Sequence, residues 1–385
     1  MPWVRSVEEQ RRQFVEELSA AGVNRRSVCR KWGVPPKTAY KWLRRSETGD
    51  GQDGGLRDRS RRPKRSPGRT SEEVEAAVLA VRDEFPSWGG RKLAAVLQRR
   101  GSVAVPSPST ITQILRRHGR ITEEGSQRGK AWVRFQRERP NELWQMDFKG
   151  HFGLEGGGRS HPLVLLDDHS RFCLLLAACM DERGATVQQE LVGAFRAYGL
   201  PLEMLMDNGS PWGSDEVHVY TPFVVWLLRL GIRVTHGRIR HPQTQGKLER
   251  LNQTLDVDVL HLVGPFQDNA AVQAALDEYR PVYNEVRPHE ALGMAVPASR
   301  YTPSERSYPE ELPLIEYDAA DTVRRVQHSG RLSYGGREYR IPKAFHGYPV
   351  ALRPTDTEGQ VAVYFCQQRI AILDQKGGVA RPVRG

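Results

Sequence analysis

The sequence predicts a multidomain α+β protein with helix-turn-helix units at its N-terminus, a central α/β core built on a mixed five-stranded sheet, and a small β-barrel at its C-terminus. Three observations predict it. Up to residue 120 the chain reads as short capped helices with apolar residues at helical spacing. From 141 the period changes to near-continuous apolar runs alternating with amphipathic helices, the order expected of helices on both faces of a sheet. After 321 only short alternating strands remain, separated by glycine turns. A chain of 385 residues suits roughly two to four domains at the usual domain size.

Residues 1–48 contain three short helices. EEQRRQFVEELSAAG ends at Gly22, NRRSVCRKWG is capped by Asn24 and stops at Gly33, and Pro35-Pro36 opens KTAYKWLRR. The short glycine-containing turn between the last two makes a helix-turn-helix pattern. Its third helix would present Lys37, Thr38, Tyr40, Lys41, Arg44 and Arg45 to a DNA groove and its phosphates; an ordinary three-helix bundle is the bland alternative. Residues 49–69 are rich in Gly, Pro and Arg and read as a basic linker. In 70–120 the theme repeats. Thr70 or Ser71 caps SEEVEAAVLAVRDEF, SWGGRKLAAVLQRRG follows, and Ser107-Pro108-Ser109 starts STITQILRRHG with Arg116 and Arg117, a second unit that could be winged. Residues 121–140 form another basic connector.

Charge follows the same division. Residues 1–140 hold 31 Lys/Arg against 16 Asp/Glu, while the remaining 245 hold 26 against 30. One end of the chain is therefore built to meet a polyanion, and duplex DNA fits the helical patterns found there. No apolar run of 18 residues or more exists, which excludes a membrane-spanning helix. MPWVRSVEEQRRQ has no apolar core of a signal peptide, so the expected site of action is the cytoplasm. Cys29, Cys173, Cys179 and Cys366 are scattered, with no C-x-x-C pair; zinc needs clustered thiolate and imidazole ligands, so a zinc module is not expected.

In the core, spanning 141–300, LWQMDF, PLVLLDDHS, FCLLLAAC, LEMLMD and IRVTHG read as strands. ATVQQELVGAFRAYG, TPFVVWLLRLG, TQGKLERLNQTLDVDVL and AAVQAALDEYRPVYNE read as helices. Asp147 lies in the first strand and Asp207 at the tip of the fourth; in a sheet of this connectivity the two strands are neighbours, with both carboxylates at one end. Glu249 follows Asp207 by 42 positions, on the helix after the fifth strand. Three hard oxygen donors around one point suit Mg²⁺ or Mn²⁺, and two such ions about 4 Å apart clamp an in-line phosphoryl displacement. Asp167 and Asp168 sit in D-D-H-S between strands, where a turn is a better reading than a metal site. Residues 300–320 are a Pro- and acid-rich linker. In 321–376, Gly335-Gly336, His346-Gly347 and Glu358-Gly359 mark the turns of the expected barrel.

LWQMDFKG, MDNGSPWG, HGRIRHPQTQGKLERLNQTL and YNEVRPHEALG together resemble the integrase-type catalytic core of insertion-sequence transposases, most nearly insertion sequence family 481 within the retroviral-integrase superfamily. The resemblance spans roughly 85–300. It implies a ribonuclease-H-like fold and a catalytic, metal-binding triad of Asp147, Asp207 and Glu249. It also implies an enzyme that binds the inverted-repeat ends of a mobile element in the bacterial nucleoid, frees a 3′-OH and joins it to target DNA. A homodimer or higher multimer on double-stranded DNA is expected, because two ends must be joined. The Asp207–Glu249 spacing and the absence of a His/Cys zinc module point to the bacterial branch.

Around the triad, Gly209 is expected to supply a positive φ after Asn208. Gln243, Thr244, Gln245 and Gly246 form a loop whose N–H groups could face a phosphate or simply cap the helix. Lys247, Arg250, Asn252 and Gln253 flank Glu249 or share its face, where they could touch DNA or form a solvated surface. His241 could orient a phosphate or pack. Arg287, Pro288 and His289 match the family pattern without an evident role. A DNA-binding regulator with an inert core, or a nuclease that never joins strands, would be the alternative functions.

Overall fold

The computed structural model describes residues 7–48, 56–58, 70–102, 104–121, 136–207, 209, 211–212, 220–236 and 246–383. The chain forms two compact units, residues 1–69 and 70–385.

The first unit is a three-helix domain: α1 (Val7–Ser19), α2 (Arg25–Trp32) and α3 (Pro36–Glu47). Its boundaries follow the expected chemistry. The Asn24 side chain accepts from the Arg26 N–H at 3.1 Å, and Gly33 ends α2 in the left-handed conformation that a side chain would resist. Phe14, Leu18, Val28, Ala39, Trp42 and Leu43 form the core. Glu17 ties α1 to α2 by accepting from Lys31 Nζ and from Trp32 Nε1 at 2.6 Å.

In the second unit, α4 (Glu72–Glu84), α5 (Gly90–Arg99) and α6 (Pro108–Arg117) make the second triplet. Ser107 caps α6 by accepting from Thr110 N–H at 3.2 Å. Helices α5 and α6 cross so closely that a Cβ on Gly90 would lie 2.4 Å from the Pro108 carbonyl oxygen, so only glycine fits. No strand accompanies these helices among the described residues, so the wing considered for this unit is not found. Instead of a wing, the triplet has the core as its neighbour: Arg99 Nη2 donates to the Val286 carbonyl at 2.7 Å, and Val282 and Val286 cover its apolar centre.

The core sheet contains β1 (Trp144–Phe148), β3 (Arg159–Asp167), β4 (Cys173–Cys179), β5 (Glu203–Met206) and β6 (Arg233–His236) in the order β4-β3-β1-β5-β6. A two-residue strand, β2 (Phe152–Gly153), extends β3. β1, β3 and β4 are antiparallel, whereas β1-β5 and β5-β6 are parallel, the mixed sheet expected. β3 is apolar on both faces because both are covered. Leu163 and Leu165 face α7 (Gly184–Tyr198) and α8 (Pro222–Arg229); Val164 and Leu166 face α9 (Gly246–Leu255) and α11 (Asn269–Pro281). Thr221 caps α8 with Pro222 in its first turn, and α9 continues through a wide turn at Asp256–Leu260 into α10 (His261–Val263).

The C-terminal part departs from the expected barrel. Strands β7 (Thr322–Arg325), β10 (Pro349–Pro354), β11 (Gln360–Phe365), β12 (Gln368–Asp374) and β13 (Val379–Pro382) form an antiparallel sheet in the order β13-β12-β11-β10-β7. Its two edge strands do not pair, and β8 (Arg331–Tyr334) and β9 (Arg337–Arg340) form a separate hairpin turning at Gly335-Gly336. The sheet is therefore open. Closure is unnecessary because its apolar residues, including Val350, Val363, Phe365 and Leu373, join Trp226, Leu228 and Val234 in one continuous core. Gln368 completes the junction: its amide donates to the Val234 carbonyl at 3.1 Å and accepts the Val234 N–H at 2.9 Å. The 300–320 segment lies along the core, where Arg306 donates to the carbonyls of Pro201, Leu230 and Gly231.

Candidate active site

β1 and β5 run in parallel with Trp144 opposite Met204 and Gln145 opposite Leu205. Continuing that register places Asp147 level with Asp207. Side chains alternate along a strand, and Trp144, Met146, Met204 and Met206 all point into the α7/α8 core. Asp147 and Asp207 therefore project to the opposite face, the one α9 covers, and α9 itself approaches β1. Glu249 is on the first turn of α9 and is exposed. The expected pair of aspartates is thus brought together on adjacent strand ends, with the glutamate on the same face.

Burial pushes the Asp147 carboxyl up to about 7, with the nearby Asp207 and, to a lesser degree, Glu182 raising it further against a lowering bond from its own strand's backbone. Two carboxylates facing each other in a half-buried site require a cation or a proton between them, and this donor set is all oxygen, which fits Mg²⁺ or Mn²⁺. Asp207 is held firmly: its Oδ1 accepts from Gly209 N–H at 3.0 Å and from the buried Trp212 indole N–H, and its carbonyl bonds His236 Nδ1 at 2.8 Å. Trp212 in turn stacks on Phe148, one residue past Asp147. Gly209 does not take the positive φ expected of it. Its role is proximity: a Cβ there would stand 3.1 Å from Asp207 Oδ2, crowding the carboxylate.

Glu249 Oε1 accepts from Gln253 Nε2 at 3.3 Å, one turn along the helix, and Arg250 Nη1 donates to Gln253 Oε1 at 3.2 Å. Asn252 is half-buried; Arg250 is exposed. Lys247, expected to reach DNA, instead lies inward. Its ammonium donates to the Asp168 carboxylate and, at 3.1 Å, to the Asp168 carbonyl. Burial, chiefly, and the neighbouring Arg171 push its pKa down to about 8, against the pull of Asp168. Asp168 is fully buried and also accepts from Gln145 Nε2 at 2.6 Å and Arg137 N–H at 2.7 Å. Sequence reasoning missed this hub. Asp167 behaves as expected of a turn residue, accepting from Ser170 N–H, Ser170 Oγ and Asn141 N–H. Asn208, His241, Gln243, Thr244 and Gln245 lie outside the described residues.

The R-P-H segment acquires a role. Arg287 bonds Thr254 Oγ1 at 3.2 Å and lies 3.6 Å from Asp258, which also accepts from Tyr279 OH at 2.7 Å. His289 packs edge-on against Tyr283. These contacts fasten the far end of α9 to α11.

The helical units show which cations face outward. On α3, Lys37, Tyr40, Lys41 and Arg44 are exposed, Thr38 is half-buried, and Arg45 lies over the Trp42 ring at 4.8 Å. On α6, Arg116 is exposed, but Arg117 is engaged by the buried Glu75 at 2.5 Å, with His118 beside it at 2.9 Å.

Among the described residues, one set of three His, Cys, Asp or Glu ligand atoms lies mutually within 4.8 Å, and it is not the triad: it is His151, His161 and Glu182.

Comparison with known proteins agrees with this architecture. Family models described as integrase core domain match residues 137–242 and 230–297. One described as IS481 family transposase, C-terminal domain matches 321–380. A helix-turn-helix domain matches 10–64 and a homeodomain-like domain 38–115. The insertion element IS407 uncharacterized 31.7 kDa protein of Burkholderia multivorans is 25% identical over 238 residues, covering 60% of this chain and 82% of that protein. The insertion element IS476 uncharacterized 39.2 kDa protein of Xanthomonas euvesicatoria is 27% identical over 159 residues, 41% of this chain and 44% of that protein. Among solved structures, the HTLV-2 integrase catalytic core domain in complex with magnesium is 18% identical, covering 42% of this chain and 97% of its own, with a TM-score of 0.32. The simian T-cell lymphotropic virus intasome bound to a PP2A regulatory subunit is also 18% identical, covering 76% and 99%, with a TM-score of 0.37. On the sequence matches, the chain carries an integrase core and the C-terminal domain of IS481 family transposases, and it is similar to proteins of insertion elements.

Proposed function

We propose that the protein binds the inverted-repeat ends of its own mobile element, cleaves there to free a 3′-OH, and directs that hydroxyl at target DNA. The observation that carries this reading is the parallel pairing of β1 with β5, which sets Asp147 beside Asp207 on the face covered by α9. Asp147, Asp207 and Glu249 would hold two Mg²⁺ or Mn²⁺ ions, which when bound lower the pKa of the attacking hydroxyl and stabilise the leaving oxygen.

The chain's own residues prepare that chemistry. Trp212 and Gly209 fix the rotamer of Asp207. The Lys247–Asp168 pair anchors the first turn of α9, and Gln253 orients Glu249. Lys37, Lys41 and Arg44 on α3, and Arg116 on α6, are the cations placed to meet phosphates and base edges of the ends. Arg250 and Asn252 are placed to meet DNA near the cut. The working form on DNA is a homodimer or higher multimer acting at the bacterial nucleoid, since joining two ends needs two sites held together.

Strand transfer in vitro tests the proposal. The protein is mixed with end DNA, a supercoiled target and Mg²⁺ or Mn²⁺, beside the Asp207→Asn variant. Joined products that need metal and vanish in the variant are expected. Binding without cutting would favour a regulator, and cutting without joining a nuclease.

A further inference from the structure

Three side chains outside the triad converge on one point. His151 follows β1 by three residues, beyond a turn at Gly150 whose φ is +99°. His161 sits on β3, paired with Cys179 of β4, and Glu182 follows β4 by three residues. β1 and β4 flank β3, so the loops leaving both strands meet at His161. His161 Nδ1 and Glu182 Oε1 are 2.8 Å apart, and the two imidazole rings have centroids 5.3 Å apart. One ligand atom from each of the three lies within 4.8 Å of the others.

We propose that His151, His161 and Glu182 form a zinc site that shares no ligand with the triad, although Glu182 lies near enough to act on Asp147. Two imidazoles and one carboxylate are a borderline donor set, suited to Zn²⁺ and poorly matched to Mg²⁺, which prefers oxygen alone. Ligands on a four-coordinate zinc stand about 3.3 Å apart, from Zn–N distances near 2.0–2.1 Å. The 2.8 Å His161–Glu182 pair would open slightly, while the wider separations, within 4.8 Å, would close through exposed His151 on its glycine-preceded loop. Three protein ligands leave one position open for water or an oxygen of a bound partner. Asp181, beside Glu182, adds negative charge nearby, partly met by Arg183 at 3.6 Å. The site stands whether or not the chain joins DNA strands.

The test is equilibrium dialysis of the full chain against Zn²⁺ with Mg²⁺ in excess, zinc being counted by atomic absorption and its ligands read by X-ray absorption spectroscopy. One saturable zinc with two imidazole nitrogens is expected, weakened at least about tenfold in His151→Ala and in His161→Ala and retained in Asp207→Asn. His151 is exposed, so its replacement leaves the fold intact, which the thermal melt of the variant checks. No saturable zinc in the wild type, equal affinity in the double histidine variant, or loss of zinc in Asp207→Asn would each overturn the proposal.

Discussion

Lys247, two residues before Glu249, sends its ammonium to the fully buried carboxylate of Asp168 at the end of β3. The pair joins the start of α9 to the sheet. Removing one partner strands the other charge in the interior, which typically costs about 3–5 kcal/mol, whereas replacing both with apolar groups of similar volume costs much less. Asp168→Leu alone should therefore be strongly destabilised in chemical denaturation, and the double variant with Lys247→Met should recover much of the loss. Equal stability of the single and double variants would show that the two do not act as a pair.

Asp147→Asn, Asp207→Asn and Glu249→Gln should each abolish cleavage and joining while leaving end binding intact, read by gel shift beside product analysis. Retained cleavage would remove that residue from the triad. Measured with chelator at neutral pH, Asp147→Asn should also raise the melting temperature, because it removes a buried carboxylate held against Asp207. The same swap at exposed Glu249 should leave the melt unchanged.

His289 predicts an acid limit. Burial above all, then Arg287 and Lys92, push its pKa from the ordinary 6.5 down to about 3. The folded state therefore holds fewer protons than the unfolded chain between those values. Stability is complete above about pH 6.5 and falls as pH drops towards 3, by up to roughly tenfold in the folding equilibrium per pH unit. As pH falls through this window, the melt of the wild type should drop relative to that of His289→Phe; parallel curves would assign acid unfolding elsewhere.

The exposed cations of α3 should behave differently from the engaged one on α6. Alanine at Lys41 or Arg44 should weaken end binding and reduce the slope of log affinity against log salt by about one each. Arg117→Ala should instead lower stability by removing the guanidinium that holds buried Glu75, with the salt slope unchanged.

The sequence made the elements and the two aspartates legible because each left a local mark. Asn24, Gly33, Pro36, Thr221 and Pro222 all end or start helices where their backbone preferences require. Asp147 and Asp207 each follow an apolar run, and strand connectivity does the rest. Lys247 was misread because its inward turn depends on Asp168, 79 positions away, and helical spacing alone cannot say which of its faces meets a sheet. The His151, His161 and Glu182 cluster had no sequence signature, since antiparallel pairing of β3 and β4, not proximity in the chain, assembles it. The barrel expectation failed because turn spacing reports the number of strands but not whether their apolar side closes on itself or on a neighbour.

Gln368 matters beyond holding two domains together. β6 is the edge strand of the core sheet, and an edge offers unpaired N–H and C=O groups to any passing strand. By taking both polar groups of Val234, one side-chain amide stands in for a neighbouring strand's backbone. That border of the sheet is blocked at Val234, whose outward N–H and C=O cannot pair with an added strand while Gln368 holds them.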